Sequence, residues 1–336
     1  MNHNLPIKRI LLAPMEGVLD GVVRQLLTSI NEVEYCVTEF VRVTQQRLPH
    51  KTFYRLCPEL YYQGKTASGT PVRVQLLGQH PQLMAENAST AIALGSYGID
   101  INAGCPAKTV VGSEGGAYLL KDPELIYQIT KQVRSAVPAD KPVSVKIRLG
   151  WQDKSQCIEI ADAVAQGGAD EITVHGRTKE DGYNADKIDW QTIGLIKQNL
   201  TIPVIANGEI FSVLAAKQCI AQSHCQAIML GRGILAIPNL ANMIRYNHPP
   251  LSWNNTVDLL LTYAQSQLDH ELAKSKPFYH SARIKQWLTY LKATYPDAMY
   301  LLQQIRTLKT QSEMINALQA YKSTVTDKNA LTEYYK

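Results

Sequence analysis

Short apolar runs bounded by turn residues recur through the first two thirds of the chain. They are RILLAPM (9–15), YCVTEFV (35–41), VRVQLLG (72–78), GIDINAG (98–104), VSVKIRLG (143–150), DEITVHG (170–176), PVIANG (203–208) and AIMLGRG (227–233). Each has the length of a strand, and most intervals between them carry a helical period instead. In DPELIYQITKQV, Asp122 fits an N-cap, Pro123 fits the first helical position, and Leu125, Ile126, Ile129 and Val133 fall on one face. Eight β units with helical connections over about 240 residues predict an α/β fold of the (β/α)8 TIM-barrel type. A doubly wound open sheet is the alternative. It needs a glycine-rich phosphate turn after the first strand, and APMEGVLDG does not supply one.

After residue 248 the strand pattern stops. Beyond NHPPLSWNN, apolar positions recur at helical spacing: Val257, Leu260, Leu261, Ala264 and Leu268; Ile284, Trp287, Leu288 and Leu291; Leu301, Leu302, Ile305 and Leu308; Met314, Ile315 and Leu318. A small C-terminal helical bundle is expected. The layout is then a barrel domain over 1–248, a helical domain over 249–323 and a flexible tail over 324–336.

Composition narrows the class. At 336 residues, with 45% apolar and 19% charged positions, the chain can bury a large core. No stretch approaches the roughly 18 uninterrupted apolar residues of a membrane helix, and MNHNLPIKRILLAPMEG runs into a strand without a signal-peptide pattern. A cytoplasmic, monomeric protein without membrane attachment is expected. The six cysteines (Cys36, Cys57, Cys105, Cys157, Cys219, Cys225) form no CxxC pair and no His/Cys cluster, which argues against a disulfide framework or a structural metal. A net charge of +5 is too mild to identify a nucleic-acid binder by itself.

In barrels of this kind the active site is built at the C-terminal ends of the strands and in the loops that follow. Here those ends are polar: Met15 and Glu16, Glu39 and Arg42, Gln75, Asn102 and Cys105, Lys146 and Arg148, His175 and Arg177, Asn207 and Glu209, Arg232. An inward lysine at 146 is unfavourable unless it meets an anion or an acceptor. In HGRT (175–178), Gly176 lets a phosphate approach the backbone while Arg177 offers a fork of donors. Asn207-Gly208-Glu209 and Gly231-Arg232-Gly233 close the seventh and eighth strands, where this fold usually holds phosphate. With Gln75 and Lys146 at mid-barrel and a main-chain turn at Pro14-Met15-Glu16, this set suits flavin mononucleotide (FMN), whose pyrimidine edge needs polar partners and a nearby cation. A sugar-phosphate substrate would satisfy the same glycines and stays open.

The motifs APMEGV (13–18), VQLLG (74–78), NAGCP (102–106), VKIRLG (145–150), VHGRT (174–178), ANGEI (206–210) and GRG (231–233) bring in a resemblance. In this order they resemble the tRNA-dihydrouridine synthases, FMN enzymes that reduce uridine in tRNA, over roughly residues 8–322. MEGVLD, TEFVRV and ARIKQWL with Tyr290 are most similar to the C type of that family, which acts at uridine 16 of the D loop. The resemblance implies FMN contacts from Pro14, Met15, Glu16, Gln75, Lys146, His175, Asn207, Gly208, Glu209, Gly231 and Arg232. It also implies tRNA contacts from Arg42, Asn102, Tyr183, Arg283, Lys285, Tyr290 and Arg306. Where the family often has a second cysteine or another small residue, this chain has Ala103, which leaves the catalytic position intact.

Within that family Cys105 has a chemical task. Reducing the 5,6 double bond of uracil takes a hydride from the flavin to carbon 6 and a proton to carbon 5 from the opposite face of the ring. A thiol with an ordinary pKa of about 8.5 is mostly protonated at neutral pH and can serve as the general acid. Gly104, Gly112, Gly115 and Gly116 are expected to leave room for a nucleotide turned out of its stack. The alternative is a packing thiol, as the other five cysteines are read. NADPH is expected to re-reduce the flavin. With no second glycine-rich dinucleotide fold to hold it, it would use the same cleft before tRNA arrives.

Between Lys276 and Thr310 the bases Lys276, Arg283, Lys285, Lys292, Arg306 and Lys309 face a single acid, Asp297. Interleaved with Tyr279, His280, Trp287 and Tyr290, they suggest a surface for phosphates and stacked bases. Helical spacing puts His280, Arg283, Trp287 and Tyr290 on one stripe, with Lys285 pointing elsewhere. A small-molecule flavin oxidoreductase of the dihydroorotate dehydrogenase-like class would leave this basic region without a task. A tRNA-binding module without chemistry would not need Cys105, Lys146 and the phosphate loops.

Overall fold

The computed structural model describes residues 7–266 and 278–324. Leu268, Lys276 and, of the tail expected over 324–336, residues 325–336 lie outside those residues, whereas Thr324 ends the last helix. The chain divides into two compact units: one whose described part runs to Gly21 and resumes over Val33–Gly231, and one made of Val22–Glu32 with the described residues from Arg232 onward. This division falls earlier than the boundary at 248 expected from the strand pattern. It also groups a segment from near the N-terminus with the helical part.

In the first unit, eight strands pair in parallel in sequence order and close into a barrel. They are β1 (Arg9–Leu12), β2 (Cys36–Arg42), β3 (Val72–Leu77), β4 (Ile99–Ala103), β5 (Val143–Arg148), β6 (Glu171–His175), β7 (Val204–Asn207) and β8 (Ala227–Leu230). Each expected run contains its strand except the second, where β2 continues one residue further to Arg42, and the final residues of most other runs belong to the following loop. The connecting helices are α1 (Gly21–Ser29), α2 (His50–Leu56), α3 (Pro81–Ala93), α4 (Lys108–Val111), α5 (Pro123–Ala136), α6 (Cys157–Gln166), α7 (Trp190–Asn199) and α8 (Val213–Ser223). Helix α5 starts as expected, with the Asp122 carboxylate accepting from the Leu125 N–H at 3.0 Å. Its buried face is Ile126, Ile129, Thr130 and Val133, whereas Leu125 is half-buried.

Alternation along the strands sorts the barrel interior into two halves. Leu11, Ala13, Tyr35, Val37, Ile205, Ala227 and Met229 make one apolar cluster from the β1, β2, β7 and β8 side. On β3 to β6 the corresponding residues are polar: Arg73, Gln75, Asp100, Asn102, Ser144, Glu171 and Thr173 are all buried. At the N-terminal end of the strands Glu171 gathers three donors, with Tyr35 and Arg73 each at 2.6 Å and Arg9 at 2.8 Å. Burial alone would raise the Glu171 pKa, but Arg73 and Arg9 outweigh it and hold the carboxyl below its ordinary value.

The second unit is helical. It comprises α1 from Val22 on, α9 (Arg232–Ala236), α10 (Leu240–Tyr246), α11 (Trp253–Gln265), α12 (Tyr279–Leu291), α13 (Asp297–Ile305) and α14 (Gln311–Thr324). Its core uses the expected positions Val257, Leu260, Ala264, Ile284, Leu288, Leu291, Leu301, Ile305, Met314 and Leu318. Asn31 ties the N-terminal segment in by donating to the carbonyls of Leu27 at 2.9 Å and Pro238 at 2.7 Å. Two aromatic residues expected on an RNA-facing stripe belong to this core, Trp287 in keeping with its place among the apolar helical positions and His280 against expectation. Trp287 is 3% exposed and donates to the Leu235 carbonyl at 3.1 Å; His280 is 5% exposed, with Nε2 3.1 Å from the Ser266 carbonyl oxygen. The same helical period that lines up basic residues also lines up the buried face, so spacing alone could not separate the two. Among the described residues, no helix is long and apolar enough to cross a membrane.

Candidate active site at the C-terminal ends of the strands

Asn102, near the end of β4, shapes the loop that follows. Its Oδ1 accepts from the main-chain N–H of Gly104 at 3.1 Å and of Cys105 at 2.9 Å. Its Nδ2 donates to Gln75 Oε1 at 2.8 Å, and Gln75 Nε2 donates to Asp100 Oδ2 at 2.6 Å. The other Asp100 oxygen accepts from Ser144 Oγ at 2.6 Å. Strand register makes this chain possible, because Gln75 pairs with Asp100 across β3 and β4, and Asp100 with Ser144 across β4 and β5. Burial raises the Asp100 pKa to about 6, with Gln75 and Ser144 opposing, so at neutral pH the group is an ionised, acceptor-only carboxylate. It dictates which end of the Gln75 amide faces Asn102, and thereby which end of Asn102 faces the cysteine loop.

The loop is held from other directions as well. Arg148 Nε donates to the Gly104 carbonyl at 2.9 Å, and the Ala117 N–H donates to the Cys105 carbonyl at 2.9 Å. Cys105 packs against the cluster of Phe40, Leu77 and Val110, and it is the one cysteine that is not fully buried; all six are free thiols. Burial raises the Cys105 pKa and Glu16 adds to the rise, while the Ala107 N–H, Arg148 and Arg42 act against it. The thiol is therefore protonated at neutral pH, the state a general acid requires. Gly116 lets the chain lie close against its neighbours here. A Cβ on Gly116, at φ +60°, would come within 2.7 Å of Val110 Cγ1 and 2.8 Å of the Cys105 carbonyl oxygen.

The residues expected around a flavin converge on the same end of the barrel. Lys146 Nζ donates to Asn207 Oδ1 at 2.9 Å, and Asn207 Nδ2 donates to the Met229 carbonyl at 2.7 Å. Burial, then Arg148, lowers the Lys146 pKa to about 8, which leaves it cationic at neutral pH. It makes no salt bridge among the described residues, so a cation stands here with donors to spare, as the electron-rich edge of a flavin ring requires. Gln75 is wholly buried, with both ends of its amide engaged by protein. Gly208 has φ +116°, and a Cβ there would stand 3.3 Å from the His175 ring. Arg177 is wholly buried: its Nη2 meets the Glu209 carboxylate and its Nε donates to the Asn184 carbonyl at 2.6 Å, which braces the turn after β7, while its Nη1 has no hydrogen-bond partner among the described residues. The Glu39 carboxylate accepts from the Gly17 N–H and steadies the Pro14-Met15-Glu16 turn. Gly231 follows β8, where a Cβ would meet nothing nearer than Ala13 and Met15 at 3.8 Å; Arg232 opens α9.

Of the residues expected to touch RNA, Tyr183 is 58% exposed, with the Arg148 guanidinium 5.2 Å from its ring and the His175 ring edge-on at 6.4 Å. Arg148 also donates to the carbonyls of Thr178 at 2.8 Å and Gly182 at 2.9 Å, so one guanidinium joins the cysteine loop to the loop that carries Tyr183. Arg42 donates to the Thr109 carbonyl at 3.1 Å. In the helical unit, Arg283 lies 4.8 Å from the Tyr279 ring, Lys285 donates to the Leu308 carbonyl, Tyr290 is half-buried and Arg306 is exposed.

A family model described as Dihydrouridine synthase (Dus) matches residues 11–326, nearly the whole chain. The chain belongs to the dihydrouridine synthase family. Relatives named tRNA-dihydrouridine(16) synthase agree. The one from Salmonella typhimurium is 57% identical over 94% of this chain and 99% of its own, and the one from Pasteurella multocida is 60% identical over 89% and 95%. That of Escherichia coli K12 is 57% identical over 93% and 98%. Among solved structures, TcOYE with pHBA aligns with TM-score 0.51 at 13% identity over 72% of this chain and 90% of that one. A 2-naphthoyl-CoA reductase complex aligns with TM-score 0.56 at 14% identity over 74% and 53%. At such identities these two show the barrel fold alone.

In this member of the dihydrouridine synthase family, two buried residues outside the expected site set organise the cysteine loop. Asp100 lies outside the polar strand ends expected from the sequence, and Arg148 stands among them only as a strand end. The available signal was the run of polar residues at every second position of β4 and β5, Asp100 and Asn102, then Ser144, Lys146 and Arg148. Among the described residues no group of three or more His, Cys, Asp or Glu side chains could hold a metal ion.

Proposed function

We propose that this chain reduces uridine 16 in the D loop of tRNA to 5,6-dihydrouridine, with Cys105 as the general acid. The observation that carries the reading is the half-buried Cys105 thiol, its pKa raised by burial, on a loop pinned by Asn102, Arg148 and Ala117. Family membership supports the reaction, and the names of the relatives support the position. FMN, when bound, supplies the hydride for carbon 6 of the uracil. Pro14, Met15, Glu16, Gln75, Lys146, His175, Asn207, Gly208, Glu209, Gly231 and Arg232 hold it, with Lys146 as the cation for its pyrimidine edge. Cys105 delivers the proton to carbon 5 from the opposite face. Arg42, Asn102, Tyr183, Arg283, Lys285, Tyr290 and Arg306 bind the tRNA, and the same cleft takes NADPH as reductant before tRNA arrives.

Cys105→Ala tests this directly. In single turnovers of the reduced holoenzyme with unmodified tRNA, dihydrouridine formation should fall by about 100-fold or more. Flavin content and tRNA affinity should stay at wild-type values. Undiminished formation would remove Cys105 from the mechanism, and efficient reduction of free uridine or orotate by the wild type would assign the chain to the small-molecule reductases instead.

A further inference from the structure

The loops after β4, β5 and β6 meet at one indole ring, outside every residue assigned above. Lys121 Nζ stands 4.0 Å from the centre of the Trp151 ring and 4.5 Å from that of Tyr118, while Lys179 Nζ stands 4.4 Å from Trp151. Tyr118 meets Trp151 edge-on at 6.0 Å. The main chain fixes this meeting, because the N–H groups of Lys179 and Glu180 donate to the carbonyls of Gly150 at 2.9 Å and Trp151 at 3.1 Å. Tyr118 and Lys121 belong to the 3-10 turn Gly116–Lys121, which contains the Ala117 N–H bound to the Cys105 carbonyl. Lys179 belongs to the segment that leads to Tyr183. The two ammonium groups are thus carried by the same segments as the proposed acid and the exposed tyrosine.

Two cations drawn to one ring repel each other, and in the free protein only one of them is neutralised. Lys179 Nζ lies 2.9 Å from Glu180 Oε1. Lys121 is exposed and has no carboxylate partner among the described residues. A cation–π contact at an exposed site is weak, but enough to bias a flexible lysine toward one position without cancelling its charge. A positioned, uncompensated ammonium has part of its ordering entropy already spent before a ligand arrives, which favours an anion that approaches the barrel mouth. The repeating charge of an RNA backbone can reach both lysines at once.

We propose that Lys121, Trp151 and Lys179 form a phosphate clamp for the RNA backbone beside the target uridine, with Lys179 exchanging Glu180 for a phosphate oxygen on binding. The inference rests on tRNA being the substrate. Its test is a salt series of tRNA dissociation constants for the holoenzyme carrying Lys121→Ala and Lys179→Ala together. Affinity should fall several-fold at low salt, and the slope of log K against log salt should become shallower by about 1.4–1.8, the loss of two phosphate contacts. Because Lys121 is exposed, Lys121→Gln alone, which cannot disturb the core, should remove about half of that slope. Glu180→Gln should act in the opposite direction and tighten binding at low salt. An unchanged slope in the double variant, or weaker binding by Glu180→Gln, would overturn the clamp even while the wild type makes dihydrouridine. A wild type that makes none would instead overturn the substrate on which the clamp depends.

Discussion

The two halves of the barrel interior use the same strand geometry to opposite ends. The apolar half, with Leu11, Val37, Ile205 and Met229, packs without direction, so each side chain contributes by the area it buries. In the polar half a chain of residues orient one another: Ser144 and Gln75 on Asp100, Asn102 on Gln75, and the Gly104 and Cys105 N–H groups on Asn102. The difference teaches that closing a barrel and aiming a reactive group are separate tasks. A thiol that must face a substrate needs partners that specify angles, and such partners are stabilising only while all of them are present.

The sharpest way to break the comparison is at the base of the polar half. Glu171→Ala leaves the buried Arg73 guanidinium and the Tyr35 hydroxyl without their shared acceptor, and unfolding in urea should show a loss of about 3–5 kcal/mol. Because the Glu171 carboxyl is held below its ordinary 4.5, the stability it provides is present above that pH and is lost as pH falls through the lower folded value.

Asp100 gives the next largest effect, with the opposite sign. Its pKa rises from 3.8 unfolded to about 6 folded, so wild-type stability falls as pH climbs through that window and stays lower above it. Asp100→Asn removes the ionisation and should stabilise the protein on the order of 2–3 kcal/mol at pH 7, with no gain below pH 3.8. Dihydrouridine formation should nevertheless drop, since the amide no longer forces a single orientation on Gln75. A variant both less stable and fully active would refute a directional role for the polar half.

Arg148→Lys keeps the charge but loses the fork that reaches Gly104, Thr178 and Gly182 together, and a cost of about 1.5–2 kcal/mol in kcat, with tRNA affinity less affected, is expected. The smallest effect belongs to the apolar half. Ile205→Val should cost about 1 kcal/mol in thermal or urea unfolding and leave turnover as it was. A change in turnover from that single methylene would mean that the two halves are not separate after all.

The strands and the polar strand ends were legible in the sequence because both are local: a run of Val, Ile and Leu between turn residues, and a Lys or Asn at its end. The direction in which each polar side chain points was not. Arg177 reads as a wholly free fork until Glu209 and Asn184 are found on two of its three nitrogens, and Gly116 reads as open space until Val110 and the Cys105 carbonyl are found beside it. His280 and Trp287 failed for a related reason, since a helix presents core and surface at the same period. What was missed in each case is the neighbour, and neighbours are supplied by register and packing between distant segments.

The shared guanidinium of Arg148 has one more implication. Two loops fastened to a single planar group cannot drift independently, so a displacement of the segment that carries Tyr183 is passed on to the Gly104 carbonyl beside Cys105. On the proposed roles of Tyr183 and Cys105, a wrongly seated nucleotide would slow the chemical step itself, without a separate checkpoint.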